Sequence, residues 1–106
     1  MISVDKETFQ AEVLEAQGLV LVDFYGEGCV PCQELMPDIE ALAEAYGSQI
    51  KFVKLNTSSA RRLAISQKVL GLPTVTIYKD GEKVSELTKE DANRAGIEAM
   101  IKAALG

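Results

Sequence analysis

The run LVLVDFY, Leu19 to Tyr25, constrains the fold of this 106-residue chain more than any other segment. A strand with one wet face alternates apolar and polar residues, whereas this one is apolar on both faces except at Asp23. Such a strand must be covered on both sides, which places it in a parallel or mixed sheet between layers of helices. IKFVKL, Ile50 to Leu55, reads as a second buried strand. TVTIYK, Thr74 to Lys79, and EKVSEL, Glu82 to Leu87, flank the pair Asp80-Gly81. Asp-Gly between two strand-like runs is a strong hairpin signal, because both residues tolerate a left-handed backbone. A short strand at Ile2 to Val4 completes the set.

The helical periods fall between these strands. Cys32, Leu35, Met36, Ile39, Leu42, Ala43 and Tyr46 recur on one helical face, with Pro31 placed to open that helix and Gly47 to stop it. Pro37 lies inside and is expected to bend it. A helix from about Asp5 to Ala16 carries Phe9, Val13 and Ala16, with Gly18 closing it. Ser58 or Ser59 is expected to cap a short helix bearing Leu63 and Ala64, and a last helix starts near Thr88 with Asp91 in an approximate capping box. The resulting order, α, β, α, β, α, β, β, α, is that of a three-layer α/β/α domain with a central mixed sheet. At this length residues 1–106 make one domain, with no room for a second core.

Charge narrows the function. With 11 basic against 16 acidic residues the net charge is −5, which disfavours nucleic-acid binding, since phosphate contacts need clustered Lys and Arg. It suits a soluble monomer kept apart by mutual repulsion. No apolar run is long enough to span a bilayer, so no membrane partner is expected. The start, MISVDKETFQ, has neither a basic nor an apolar signal region, which points to the cytoplasm.

The two cysteines, Cys29 and Cys32, are three residues apart in DFYGEGCVPCQELMP. As a structural staple they are poorly placed, because closing so small a loop constrains the unfolded chain little, by only about 2 kcal/mol in the chain-entropy model. A zinc site wants four Cys or His ligands, and this chain has two Cys and no His. A two-thiolate copper(I) clip stays chemically open, since soft thiolates suit that ion. A redox switch fits the local physics best. Residues three apart at a helix start share a face within reach of a disulfide. Cys29 falls at the helix start, where unpaired N–H groups and the positive end of the dipole favour a thiolate. Cys32 lies one turn inside on the apolar face. Cys29 is therefore the expected nucleophile and Cys32 the resolving thiol.

Asp23 interrupts an apolar strand six residues before Cys29. It is either a strand-end carboxylate in water or a buried carboxyl of raised pKa that takes the Cys32 proton. Lys54 on the second strand is its candidate partner. The Leu72-Pro73 bond, at the start of a strand, is trans on base rates.

VDFYGEGCVPC, then KLN at Lys54 to Asn56, then GLPT, then KDGE, together resemble the thioredoxin family over nearly the whole chain. The resemblance implies a thioredoxin fold and a dithiol electron carrier with protein-disulfide reductase activity and no bound cofactor. It implies the same roles for Cys29, Cys32 and Asp23, a lysine near the aspartate at Lys54, and a cis bond before Pro73, against the base rate. The implied partners are thioredoxin reductase and disulfide-containing proteins, docking over Tyr25, Gly28, Val30, Pro31, Leu72 and Pro73. The sequence departs from the family at Gly28 and Tyr25, where Trp is common, at Val30 in place of Gly, and at Thr88-Lys89-Glu90 in place of Val-Gly-Ala. The Gly-Cys-Val-Pro-Cys variant resembles thioredoxins of amino-acid-fermenting anaerobic bacteria, which implies glycine, sarcosine or betaine reductase selenoproteins as partners. A copper(I) module and a redox-inert domain of the same fold are the rival readings.

Overall fold

Successive side chains of a strand point to opposite faces, so Val20, Val22 and Phe24 look one way while Leu21 and Asp23 look the other. The computed structural model, which describes all 106 residues, is organised by this division. Its strands are β1 Ile2–Val4, β2 Leu19–Tyr25, β3 Lys51–Asn56, β4 Thr74–Lys79 and β5 Glu82–Thr88. Its α-helices are α1 Val30–Tyr46, α2 Arg61–Ser66 and α3 Arg94–Leu105. The sheet order is β1-β3-β2-β4-β5, with β1, β3 and β2 parallel and β4 and β5 antiparallel to their neighbours.

Two apolar clusters form on the two faces. Val20, Val22 and Phe24 pack with Phe9, Val13, Val53, Leu55, Ala64 and Tyr78, under α2 and a π-helical turn at Gln10–Leu14. Leu21, Phe52, Val75 and Ile77 pack on the opposite face against Leu35, Ile39 and Leu42 of α1 and Ile97 and Ile101 of α3. The α/β/α layering and the mixed sheet expected from the sequence are both present. Helix α1 runs unbroken through Pro37 and is tied to α3 by the Tyr46 hydroxyl, which donates to the Glu98 carboxylate at 2.6 Å.

Three local expectations are corrected. The helix from Asp5 to Ala16 contracts to the turn at Gln10–Leu14, because the Asp5 carboxylate accepts the Glu7 and Thr8 N–H groups and holds the preceding residues in turns. Phe9 and Val13 are buried all the same. Neither Ser58 nor Ser59 caps α2. Asn56 instead accepts the Ser58 N–H at 3.0 Å and caps a 3₁₀ turn at Thr57–Ser59, which delays α2 to Arg61. The last helix is capped by Asn93, whose side chain accepts the Gly96 N–H at 2.9 Å, since Thr88 remains in β5. Asn93→Ala is therefore expected to lower stability by about 1 kcal/mol, read as a shift in the urea midpoint, and Asp91→Ala by much less.

The hairpin is built as the Asp-Gly pair suggests. Asp80 and Gly81 both have positive φ, 50° and 86°, and the Asp80 carboxylate accepts the Gly18 N–H at 2.7 Å. A Cβ on Gly81 would come within 2.1 Å of the Leu14 carbonyl oxygen, a backbone atom that cannot step aside. Gly81→Ala is expected to destabilise by about 3 kcal/mol, measured by denaturant unfolding.

Candidate redox site

Strand β2 ends at Tyr25 and α1 begins at Val30, so a four-residue loop delivers Cys29 to the helix N-cap. There its backbone is extended and its Sγ accepts the Cys32 N–H at 3.2 Å. A sulfur so placed meets the unpaired N–H groups and the positive end of α1, which favour negative charge. Pro31 occupies the first turn, where a missing N–H leaves no bond unmade. Cys29 and Cys32 are joined as a disulfide with Cα atoms 5.3 Å apart, inside the range such bonds span. The two sulfurs differ in access. Cys29 is half-buried, while Cys32 is 3% exposed on the stripe that continues through Leu35 and Ile39.

Asp23 lies on the face of β2 that α1 covers and is 2% exposed. Its Oδ2 has no hydrogen-bond partner. Burial pushes the carboxyl up to about 7, against a smaller opposing pull from the Lys54 charge. Lys54 is the direct neighbour of Asp23 across β2 and β3. The ion pairs within 4.0 Å are Lys51–Glu12, Lys83–Glu86 and Arg94–Asp38, so Lys54 acts on Asp23 through space and not by contact. The half-buried lysine lines a surface hollow with Pro37, Glu40 and Glu44.

The Leu72-Pro73 bond is cis, against the base-rate expectation and in line with the resemblance. Pro31, Leu72 and Pro73 line one groove together with Glu34, Asp38, Lys89 and Glu90. Tyr25 and Gly28 line a second hollow beside Cys32, with Gln33 and Met36. Val30 stands 58% exposed between the cysteines. Gly28 has φ +73° and open space where a side chain would project, so no Trp covers this flank.

Residues outside the sequence-derived set hold these pieces in place. The Lys89 N–H donates to the Pro73 carbonyl at 2.7 Å, and Lys89 itself is left-handed at φ 54°. Its standing where the family tends to have Gly is the signal that could have singled it out. The Thr57 hydroxyl donates to the Tyr25 carbonyl at 2.9 Å, and the Ser58 hydroxyl accepts the Glu27 N–H at 2.9 Å, anchoring the loop before Cys29.

A profile of the thioredoxin family matches residues 1–103. The chain belongs to the thioredoxin family. It is 61% identical to the thioredoxin of Peptoclostridium acidaminophilum over 106 residues, which cover all of this chain and 96% of that protein. Identity to the thioredoxin of Acetoanaerobium sticklandii is also 61%, over 102 residues covering 96% and 97% of the two chains. The thioredoxin of Streptomyces clavuligerus is 40% identical over 85 residues, 80% of this chain and 78% of that one. The first two bear out the resemblance to thioredoxins of amino-acid-fermenting anaerobes. The mixed sheet between helices is the thioredoxin fold, and the Cys29–Cys32 disulfide makes this member a dithiol/disulfide redox carrier. Disulfide-bearing protein substrates and a reductase follow in general from the family. No helix is long and apolar enough to cross a membrane.

Proposed function

We propose that this thioredoxin works in the cytoplasm, taking two electrons from thioredoxin reductase and passing them to partner disulfides. The Cys29 thiolate attacks one sulfur of the partner disulfide, and the partner's other sulfur leaves as a thiolate that takes up a proton. Cys32 then loses its proton to Asp23 and attacks the Cys29 sulfur of the mixed disulfide. The partner's second sulfur leaves as a thiolate that takes up a proton from water or from Asp23, and the Cys29–Cys32 disulfide forms, so the partner gains two electrons and two protons. Lys54 moderates the charge on Asp23 from outside. The partner's segment lies over Tyr25, Gly28, Val30, Pro31, Leu72 and Pro73, with the cis-proline edge pairing an extended strand.

The observation that carries the division of roles is the unequal placement of the two sulfurs: Cys29 at the helix N-cap and half-buried, Cys32 enclosed at 3% exposure. Kinship with the two anaerobe thioredoxins supports the selenoproteins of glycine, sarcosine or betaine reductase as acceptors. Mixing the reduced protein with an oxidised selenoprotein component should consume one dithiol per disulfide. The rate should be at least about tenfold above that with insulin, a difference of about 1.4 kcal/mol in transition-state stabilisation. Equal rates with the two would remove the selenoproteins from this reading.

A further inference from the structure

A third sulfur stands beside the redox pair, and the disulfide cycle makes no use of it. Met36 follows Cys32 by one helical turn on α1 and shares its face. A methionine side chain in a helix leans back over the preceding turn, which carries the thioether towards Cys32. Both residues line one hollow of about 490 Å³, together with Tyr25, Gly28 and Gln33. Gly28 leaves that hollow open, since no atom lies within 4 Å of where its Cβ would stand, at a position where Trp is common in the family. Of the three methionines, Met1 and Met100 line no part of it. Met36 is half-buried and its neighbour Cys32 is enclosed. Reduction of the disulfide therefore leaves two thiols and a thioether together at the start of α1.

We propose that the reduced protein binds one copper(I) ion through the thiolates of Cys29 and Cys32 and the thioether of Met36, alongside its redox cycle and not in place of it. Three sulfur donors make a soft set that suits copper(I) and leaves zinc short of the four ligands it takes. Glu27, the one charged residue of the hollow, is exposed and offers only hard oxygen, so it does not compete for a soft ion. Binding displaces the two thiol protons, which pass to water. No electron moves: copper stays copper(I) and both sulfurs stay thiolates. The site exists only in the reduced state, because in the Cys29–Cys32 disulfide the two sulfurs are spent on each other. A bound ion in turn occupies both thiolates, so the copper-loaded protein has no sulfur free to attack a partner disulfide. The same dithiol either carries electrons or holds copper, and the concentration of free copper(I) decides between them.

The test titrates the reduced protein, without air, with copper(I) held by bicinchoninate. One ion per chain should bind. Met36→Leu, which conserves volume, should weaken binding about tenfold, the loss of one weak ligand out of three. Copper-edge X-ray absorption on protein grown with selenomethionine reads the third ligand directly. Selenium should neighbour copper in the wild type and be missing in Met36→Leu, a signature that a purely structural role for Met36 would not give. The loaded protein should lose insulin-disulfide reduction and regain it when excess bathocuproine disulfonate removes the copper. Copper with two sulfur neighbours and no selenium in the wild type would overturn the three-sulfur site, and so would an unchanged affinity in Met36→Leu. Full insulin reduction by the loaded protein would overturn the competition between the two roles. Insulin reduction by the metal-free protein reads the redox function separately, so failure of the copper site and failure of the carrier reading are told apart.

Discussion

Cys32→Ser is expected to arrest the cycle at its midpoint, leaving partner proteins bound to Cys29 through mixed disulfides that survive non-reducing electrophoresis. Cys29→Ser should trap none. Both variants should lose insulin-disulfide reduction by about a thousandfold or more, because each removes a sulfur without which the two-electron cycle cannot close. The asymmetry follows from geometry. A serine at position 32 leaves the sulfur at the N-cap of α1, where N–H groups stabilise its anion, and removes only the group that would release the partner. A serine at position 29 leaves a single thiol at 3% exposure, which a protein disulfide cannot reach without displacing the helix start. Mass spectrometry of the captured material gives the partners' identities. Equal trapping by the two variants would sink the assignment of Cys29 as nucleophile.

Much of this was legible in the sequence because the decisive patterns are local. The two-faced apolarity of Leu19–Tyr25 demanded a covered sheet, and the Asp80-Gly81 pair demanded a hairpin whose left-handed residues the structure shows. The i, i+3, i+4 run from Cys32 to Tyr46 gave α1 and the burial of Cys32 together. Boundaries were less legible, because several polar residues compete for each helix start. Asn56 and Asn93 won over Ser58 and Thr88 through tertiary context: the Ser58 hydroxyl already serves the Glu27 N–H, and Thr88 is held in β5 opposite Thr74.

The site was legible in its chemistry and not in its supports. Cysteine spacing and a lone strand aspartate mark their own roles, whereas the bond from Lys89 to the Pro73 carbonyl joins residues that only the fold brings together. The cis bond at Leu72-Pro73 is of the same kind. Local preference favours trans, and the resemblance to a family, not the physics of the dipeptide, anticipated what the structure has. The direct pairing of Asp23 with Lys54 looked plausible from strand positions. The strands do put them side by side, yet their heads do not meet within 4.0 Å.

Asp23→Asn is expected to stabilise the oxidised protein in alkaline solution and not in acid. Burial pushes the carboxyl up to about 7 in the fold, from an ordinary value of 3.8. Between those values the folded chain keeps a proton that the unfolded chain has lost, so the wild type loses stability as the pH rises through the window and no more above it. The loss amounts to about 4 kcal/mol at most. Asn cannot ionise and escapes it. Urea midpoints should therefore agree within error near pH 4, diverge as the pH rises to about 7, and hold a constant gap from there to pH 9, with the variant the more stable. An equal gain at both ends would show that shape, not charge, limits the wild type. The same substitution should slow release of partners from the mixed disulfide by about a hundredfold, the lower end of what a positioned base contributes, because nothing then takes the proton from Cys32. A variant that is more stable at pH 9 and slower to resolve would mean that the buried charge is kept for the reaction, at the expense of the fold.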